Sequence, residues 1–254
     1  MPTNAAPSIP VITAAEDPAS SGLSHSAQLT SARNRNGTAP AIGVNIGCGA
    51  TPTPGWLNLD NSLTVRLAYL GGLFSALPLL GRERLHFMKV ARKFKIRWAN
   101  AAVHIPLPDA SVRVVYSCGM PILLDPNAEM PRFLAEVQRV LIPGGVIRLA
   151  VDDLLRAAGD YVLHTRDADA FVSSLHVMRG IRHGRLGDLR NLLVGYRGSR
   201  WIYDAASVGR LLERHGFCSA REFPPGETMI PNPGSLNLRE REEEKYVYVE
   251  ALRA

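Results

Sequence analysis

The sequence has few cysteines, no long apolar run and no N-terminal stretch of the secretory type. Cys48, Cys118 and Cys218 stand far apart without a CxxC pair, which argues against a zinc site or disulfide framework and favours a reducing compartment. No apolar run reaches the roughly 18 residues that a membrane-spanning helix needs. The start of the chain lacks a basic segment followed by an apolar one. We therefore expect a cytoplasmic protein without stable membrane insertion.

The overall charge leaves several partner classes open. A formal net charge of +6 and a pI near 9.5 are compatible with nucleic acid, an acidic substrate or an anionic membrane surface. Residues 1–40 are rich in Pro, Ala, Ser, Thr and Asn without periodicity, and they are predicted to form a disordered tail. Residues 41–254 are 214 residues with enough apolar side chains for one domain.

Short apolar strands and helical periodicities alternate along this domain. Strands are predicted at residues 41–46, 56–60, 112–117, 146–151 and 245–252, and helices near 131–141, 154–162, 171–178 and 205–215. Pro143–Gly145 is expected to separate a helix from the strand after it, and Asp204 to cap the last helix. Such alternation predicts a doubly wound α/β sheet, whose ligand lies beyond the carboxyl ends of the strands.

The stretch VNIGCGATPTPGWLNLD, residues 44–60, resembles a nucleotide-binding turn. A dinucleotide turn opens a helix that supports a diphosphate and has an acid about 20 residues further on. Here Pro52 and Pro54 leave no room for that helix, and Asp60 comes too soon. S-adenosylmethionine contains no phosphate and needs only bare backbone and a carboxylate for its ribose hydroxyls. The alternative is a tight turn followed by an ordinary surface aspartate.

Five blocks in order resemble the class I S-adenosylmethionine-dependent methyltransferases: VNIGCG, PGWLNLD, IPLPDASVRVVYS, FLAEVQRVLIPGGVIRLAVDDL and WIYDAASVGRLLERHGF. More narrowly, they resemble a bacterial branch found in polysaccharide and natural-product gene clusters. The resemblance covers about residues 42–252. It implies a Rossmann-like, seven-stranded sheet with an antiparallel last strand, and S-adenosyl-L-methionine as the cofactor.

At the glycine turn, the resemblance implies five cofactor-binding residues. Asn45 stands where the family usually has an acid. Gly47 and Gly49, with Cys48 between them, would flank the methionine moiety of the cofactor. Asp60 would bind the ribose hydroxyls.

Further along the chain, the resemblance implies four more cofactor-binding residues. Asn100 or the adjacent Ala101 would contact adenine, although Asn100 could also merely end a loop. Ser117 and Cys118 would offer backbone groups to the methionine amino group, and an inert core thiol is the alternative for Cys118.

The chain departs from this branch where acid–base residues are usual. After the fourth strand the branch carries a His and then a Glu-His pair, and this chain has Gly119, Ile122 and Leu123 at those positions. Asp152 replaces a proline in the next strand. Methyl transfer can proceed by proximity and orientation alone, and a carboxylate or phenolate substrate needs no base.

Other histidines remain as candidate bases. His104, His176 and His183 are available, but a lone histidine is more often structural or on the surface, so none of them is assigned a role and the catalytic residues stay open. Tyr203 matches a family motif at the start of the last helix.

Residues 61–99 are predicted to form a helical lid insertion. Leu67–Gly81 is almost wholly apolar, and the basic run Arg82–Arg97 follows it. A lid over an apolar substrate is favoured over a piece of the core, and an interfacial membrane helix comes last.

The Arg-rich loop at 178–200 precedes the last helix. Arg179, Arg182, Arg197 and Arg200 are the candidate substrate-binding residues, with a solvated basic loop as the alternative. Both segments are expected at the pocket mouth. The predicted function is O-methylation of a small, apolar and acidic biosynthetic intermediate. The alternatives are a non-methylating binding protein or cyclase and an RNA methyltransferase, although nucleic acid is not expected as a partner and a homodimer is left open.

Overall fold

The structure is a computed structural model that describes residues 43–70, 82–176, 198–238 and 246–254. The predicted tail at 1–40 therefore lies outside the described residues. The same holds for 71–81 within the predicted lid and for 177–197 within the Arg-rich loop.

The described residues form one seven-stranded sheet. Its strands are β1 Val44–Ile46, β2 Leu57–Asp60, β3 Arg97–Trp98, β4 Val112–Cys118, β5 Leu141–Asp152, β6 Phe217–Phe223 and β7 Tyr246–Arg253. The order across the sheet is β3-β2-β1-β4-β5-β7-β6. β7 runs antiparallel to β5 and β6, and the other pairs are parallel. The predicted fold class is confirmed, including its antiparallel last strand.

Six helices accompany these strands in the described ranges. They are α1 Leu63–Tyr69, α2 Arg82–Lys93, α3 Glu129–Val140, α4 Leu154–Val162, α5 Ala168–Ser174 and α6 Ala205–Arg214. Asp204 caps α6 as predicted: its side chain accepts from the Ser207 N–H, and the Ser207 hydroxyl accepts from the Asp204 N–H. The Ser207 N–H also lowers the pKa of the Asp204 carboxyl. This cap fixes the residue at which the last helix begins.

The glycines after α3 belong to a strand, which differs from the predicted stop. α3 ends at Val140, the backbone becomes extended at Leu141, and β5 continues through Gly144 and Gly145. Gly144 adopts φ +71°, and a Cβ on Gly145 would lie 2.8 Å from the Ile142 carbonyl oxygen. The register shifts between Val112 and Val114 on the neighbouring strand. The glycines therefore make a bulge, which a strand tolerates without ending.

The two faces of the sheet are covered differently. On one face, Ile147 and Val249 belong to a core cluster that also contains Phe133 of α3 and Leu212 of α6. On the other face, Tyr116, Ala150 and Tyr248 cluster with Ile230 and Leu236 from the irregular segment 224–238.

A third cluster joins Cys48 to α1 and α2 through Val65, Met88 and Ala91. The helices of the predicted 61–99 insertion thus make the β2-to-β3 connection, which packs against the glycine turn.

Candidate functional site

The glycine turn lies where β1 ends, beside β2 and β4. The Gly47 and Cys48 N–H groups both donate to the Leu59 carbonyl oxygen, at 2.8 and 3.2 Å. The Ser117 hydroxyl donates to the Ile46 carbonyl oxygen at 2.9 Å from a fully buried side chain. The turn is therefore fixed to strands on both sides at the carboxyl edge of the sheet, where a doubly wound fold binds its ligand.

The two glycines of this turn are needed for different reasons. Gly47 has φ +70°, and a Cβ there would lie 2.6 Å from the Cβ of Met120. Gly49 has φ +52°, and a Cβ there would meet no atom within 4 Å. Gly47 thus makes room for the chain after β4, whereas the backbone at Gly49 faces open space that a ligand can fill.

The side chains of Asn45 and Cys48 support the turn from inside. The Asn45 amide nitrogen donates to the Thr51 carbonyl oxygen at 3.2 Å and to Thr53 Oγ1 at 3.1 Å. Asn58 holds the same loop, since its Oδ1 accepts from the Thr53 N–H at 2.7 Å. Cys48 is buried in the α1–α2 cluster. The structure gives Asn45 and Cys48 supporting roles here, since the backbone of Cys48 is also used within the turn: its carbonyl oxygen accepts from the N–H and the hydroxyl of Thr51.

Asp60 ends β2 and closes the turn. Its Oδ2 accepts from the Gly49 N–H at 3.0 Å, and its Oδ1 accepts from the Ser62 N–H at 2.7 Å. The side chain is half-buried, and each carboxylate oxygen has a further acceptor site. The carboxylate can therefore hold the turn and still accept from the two ribose hydroxyls of the expected cofactor. This geometry, together with the open backbone at Gly49, fits S-adenosylmethionine.

Asn100 and Ala101 follow β3, next to Asp60 in the sheet register. Asn100 Oδ1 accepts from the Ala102 N–H at 3.2 Å, which organises a short turn. The Ala101 side chain is buried in the core, so its backbone is what a ligand could contact. Beside them the Arg66 guanidinium lies 3.7 Å from the centre of the Trp98 ring.

Beyond Ser117, β4 ends at Cys118 and turns at Gly119. Cys118 is half-buried, and Gly119 has φ +69° with open space at its Cβ position. The Gly119 N–H donates to the Ala150 carbonyl oxygen of β5 at 2.9 Å. The Ser117 side chain is used within the sheet, so Gly119 is the residue of this strand end that borders open space.

A cavity of about 310 Å³ opens beyond the carboxyl end of β5. It is lined by Asp152, Asp153, Arg156, Ala157, Asp160, Arg166, Ser174, Leu175, His176 and Ile202. Asp152 lies two residues after Ala150, whose carbonyl oxygen accepts from the Gly119 N–H of the turn that follows β4. We call it the β5 cavity.

The β5 cavity contains a histidine–aspartate pair. His176 Nδ1 lies 3.4 Å from Asp152 Oδ2, with the side chains 27% and 12% exposed. This distance is long for a hydrogen bond, as is common in catalytic pairs without substrate. His176 also has φ +54°, a backbone region that non-glycine residues adopt rarely and that clusters at functional sites. With Nδ1 turned to the carboxylate, Nε2 is the ring nitrogen left for a substrate.

Asp152 Oδ1 of this pair is buried and has no hydrogen-bond partner among the described residues. The same holds for Ser199 Oγ and Tyr203 Oη, whose residues contact this region through their backbones. The Ser199 N–H donates to the His176 carbonyl oxygen at 3.1 Å, and Tyr203 forms a bridge with Asp153. Burial raises the pKa of Tyr203 to about 12. Because unpaired buried polar groups are costly, an incomplete set beside a cavity is typical of a place that a polar ligand completes.

Of the predicted substrate-binding arginines, one is described by the structure and three are not. The Arg200 guanidinium lies 2.9 Å from Glu129 Oε2 of α3, so it is already engaged by a carboxylate. Arg179, Arg182 and Arg197 lie outside the described residues, as does His183. The described part of the chain therefore does not bring the four predicted substrate-binding arginines together.

His104 is an exposed side chain 3.0 Å from Glu136. It belongs to an ion-pair network that joins α3 to the loop before β4, through the Arg139 bonds to the carbonyl oxygens of Ile105 and Leu107. The sequence did not rank His104 and His176 as candidate bases. In the structure His104 is an exposed surface residue, whereas His176 lines the β5 cavity beside Asp152. One feature of the sequence could have pointed to this place: Asp152 stands where the related branch has a proline, which puts a carboxylate at the end of β5.

Two further searches of the described residues give negative results. No group of three or more His, Cys, Asp or Glu side chains in those ranges is placed to hold a metal ion. None of the helices described is both long enough and apolar enough to cross a membrane.

The match to a known family covers the strands from β1 into β5. Residues 44–149 match a family model described as "Methyltransferase domain". A search of curated protein sequences finds no match.

Among solved structures, a protein of Thermotoga maritima described as a possible histamine N-methyltransferase is 16% identical, with 84% of this chain and 82% of that one covered and a TM-score of 0.45. S-adenosylmethionine-dependent methyltransferases from Mesorhizobium loti (18% identical, 85% and 92% covered, TM-score 0.44) and Methanosarcina mazei (14% identical, 85% and 93% covered, TM-score 0.44) are also similar.

Proposed function

We propose a hydroxyl-directed reaction for this protein, which is an S-adenosylmethionine-dependent methyltransferase: it methylates an oxygen atom of a small molecule bound in the β5 cavity. The observation that carries the proposal is the His176–Asp152 pair, 3.4 Å apart at the end of β5. A hydroxyl group must lose its proton as it is methylated, and a histidine oriented by a carboxylate is suited to accept it. The pair supplies what the chain lacks at the family's usual His and Glu positions.

The position of the pair supports this role. The Gly119 N–H bonds the Ala150 carbonyl oxygen at 2.9 Å, which brings the end of β4 beside β5 just before Asp152. The glycine turn follows β1 on the other side of β4. Cofactor groups and cavity therefore share one edge of the sheet, so a substrate hydroxyl can be held between them in an in-line geometry.

The residues divide the chemistry among them. When bound, S-adenosylmethionine supplies an electrophilic methyl group on a sulfonium. The Asp60 carboxylate would hold its ribose, and the open space at Gly49 would take its methionine portion. His176 Nε2 would accept the proton that the substrate hydroxyl loses when that methyl group is transferred to its oxygen. Asp152 keeps the ring in the correct tautomer and stabilises the imidazolium that results, as in other histidine–aspartate pairs.

The lining of the cavity indicates the kind of substrate. Ala157, Leu175 and Ile202 offer an apolar side, and the charged part of the lining consists of three aspartates and two arginines. Arg166 Nε lies 3.2 Å from Asp160 Oδ2, so part of this charge is neutralised internally. We propose a small molecule with an apolar portion and a reacting hydroxyl that completes the bonds of Asp152.

We also propose that the substrate has an acidic group. This part of the proposal rests on one arginine that lines the cavity and on three arginines of the Arg-rich loop that lie outside the described residues. Arg156 lines the cavity. Arg179, Arg182 and Arg197 follow in the sequence. Charge-removing changes at these positions should raise KM while leaving cofactor affinity unchanged.

The test is a transfer assay with methyl-labelled cofactor and a metabolite extract of the source organism. We expect one labelled product, with the label on an ether or ester oxygen when the product is analysed by NMR. Label on nitrogen or carbon would contradict the oxygen assignment. Tight cofactor binding without any labelled product from extract would favour the non-methylating alternative.

A further inference from the structure

The connection from β1 to β2 has no helix, although neighbouring parallel strands are usually joined by one. Residues 47–56 are all described, and they form turns. In a parallel sheet such a crossover helix covers one face of the strands that it joins. Trp56 and Tyr116 are nevertheless buried, in the cluster on the second face of the sheet. Another part of the chain therefore covers this face.

The segment 224–238 takes the place of that helix. It follows β6, which lies at one edge of the sheet, whereas β1 and β2 lie on the other side of β4 and β5. Ile230 and Leu236 of this segment are buried in the same cluster as Trp56. The Ser235 hydroxyl donates to the Pro54 carbonyl oxygen. The segment thus crosses the sheet and reaches residues 51–56, which we call the β1–β2 loop.

The same segment is fixed to the centre of the sheet. Arg148 of β5 and Glu250 of β7 form a fully buried ion pair. Arg148 Nη1 donates to the Glu227 carbonyl oxygen at 2.9 Å, and Glu250 Oε2 accepts from the Met229 N–H at 2.7 Å. The segment therefore has two attachments, one at this ion pair and one at the β1–β2 loop.

The β1–β2 loop in turn holds the glycine turn. The N–H and the hydroxyl of Thr51 both donate to the Cys48 carbonyl oxygen at 2.9 Å. At the other end of the loop, the Trp56 ring lies so close to Gly43 that a Cβ on that glycine would be 2.5 Å from it. Gly43 immediately precedes β1, and β2 follows the loop and ends at Asp60. A shift of this loop would therefore move the turn relative to the Asp60 carboxylate.

We infer that the segment 224–238 positions the glycine turn for the cofactor, with Leu236 and Ser235 as positioning residues that act through the β1–β2 loop. These two residues lie where the segment meets the loop, through the shared cluster and the bond to Pro54. No helix follows the glycines to fix their orientation, so the packed segment supplies that support. The inference rests on the cofactor binding at the glycine turn, and it is independent of the role proposed for His176.

Titration calorimetry of S-adenosylmethionine with Leu236→Ala tests this inference in the full chain. A misplacement of about 1 Å can cost about a hundredfold in a site of this kind, and we expect this variant to bind the cofactor about tenfold more weakly than the wild type. Leu236→Met nearly conserves the volume of the side chain and should restore the binding of the wild type. Ser235→Ala, at an exposed side chain, should weaken binding by less.

Leu212→Ala is the matched control. Leu212 of α6 is fully buried in the cluster on the opposite face, so the same truncation weakens the core on the side away from the segment. It should lower the free energy of unfolding in urea, as Leu236→Ala does, and keep the cofactor affinity of the wild type. A readout without cofactor is hydrogen exchange of the Gly49 N–H, which donates to Asp60 Oδ2 at 3.0 Å. This exchange should be faster in Leu236→Ala than in Leu212→Ala.

Two results would overturn the inference. The first is wild-type cofactor affinity in both Leu236→Ala and Ser235→Ala, and Ser235→Ala decides by itself if Leu236→Ala does not fold. The second is an equal loss of affinity in Leu236→Ala and Leu212→Ala, which would make the effect one of stability alone. Asp60→Ala separates the causes of failure: weak binding in Asp60→Ala with normal binding in Leu236→Ala rejects only the role of the segment, and normal binding in both rejects the cofactor site as well.

Discussion

The two halves of the proposed active site, the glycine turn for the cofactor and the β5 cavity for the substrate, are held together in different ways. In the cofactor half, the Asp60 carboxylate accepts from the backbone N–H groups of Gly49 and Ser62, and the turn is bonded to β2. In the substrate half, Asp152 Oδ1 is buried without a partner among the described residues, and α4 and α5 bury none of their side chains. The cofactor half is thus preorganised by its backbone, whereas the substrate half has polar groups for a ligand to complete.

This difference predicts that the two halves fail separately. Damage to the glycine turn should reduce cofactor affinity or stability, since the turn is part of the sheet. Substitution of His176 or Asp152 should reduce turnover and leave cofactor binding unchanged. Asp152 is the last residue of β5 and His176 lies beyond the strands. Four experiments test this separation and the scaffold that supports it.

The largest effect is expected from His176→Gln. Loss of a general base typically lowers kcat by ~10²- to 10⁴-fold, and the variant should still bind the cofactor. The measurement is kcat at saturating cofactor on the substrate that the labelled assay identifies. His104→Gln is the control, since His104 is exposed and contacts only the Glu136 network. Equal kcat values for the two variants would exclude His176 as the base.

A large effect on stability is expected from Arg148→Met. Arg148 and Glu250 are fully buried, and their closest atoms are 2.5 Å apart. Glu250 also accepts from the Thr228 hydroxyl and the Met229 N–H. Removal of the arginine leaves a buried carboxylate without its cation, which typically costs ~3–5 kcal/mol.

Urea denaturation measures this cost as a change in the free energy of unfolding. Arg210→Met, at an exposed site on α6, should change it by less than about 0.5 kcal/mol. A small effect at both sites would show that the buried pair does not anchor the segment 224–238 to the sheet.

A smaller effect is expected from the paired variants Gly47→Ala and Gly49→Ala. Both positions have positive φ, which costs an alanine about 1–2 kcal/mol. At Gly47 the added Cβ would also lie 2.6 Å from the Cβ of Met120, and overpacking of this kind adds ~1–3 kcal/mol. Gly47→Ala should therefore be the less stable variant by thermal denaturation, and Met120→Ala should partly rescue it. Equal losses at both glycines would contradict the assigned role of Gly47.

The smallest effect is expected at acidic pH from Glu136→Gln. The hydrogen bonds from Arg139 lower the pKa of Glu136 from 4.5 to about 2. A lowered pKa stabilises the fold above the unfolded value, and this contribution is lost as the pH falls from about 4.5 towards about 2. Wild type should therefore lose more stability than Glu136→Gln over this interval. Parallel stability curves for the two proteins would argue against the network.

The sequence predicted the fold well because its pattern is local. Glycines after an apolar run, alternating strands and an aspartate cap are each encoded within a few residues, and β1, β2, β4, α6 and β7 were located within a few positions. The prediction that Pro143–Gly145 separates the helix from the next strand was wrong for a tertiary reason, since a bulge against β4 lets these residues belong to β5.

The substrate half could not be predicted from local pattern. His176 and Asp152 are 24 residues apart, and two short helices bring them together, so no fixed spacing announces the pair. In the same way, the reason for a glycine at Gly47 is Met120, which lies far along the chain. Distances in space decide both features, and a single sequence contains little information about them.

Titration calorimetry of Asp60→Ala with S-adenosylmethionine tests the central claim most directly, because it asks whether the glycine turn and the Asp60 carboxylate form the cofactor site. The wild type should bind S-adenosylmethionine and show no binding of NAD. The variant should bind S-adenosylmethionine ~1–3 kcal/mol more weakly, the usual cost of leaving buried hydroxyl groups unpaired. His176→Gln, measured alongside, should bind as the wild type does. Unchanged affinity in a folded Asp60→Ala variant, or binding of NAD by the wild type, would contradict the account.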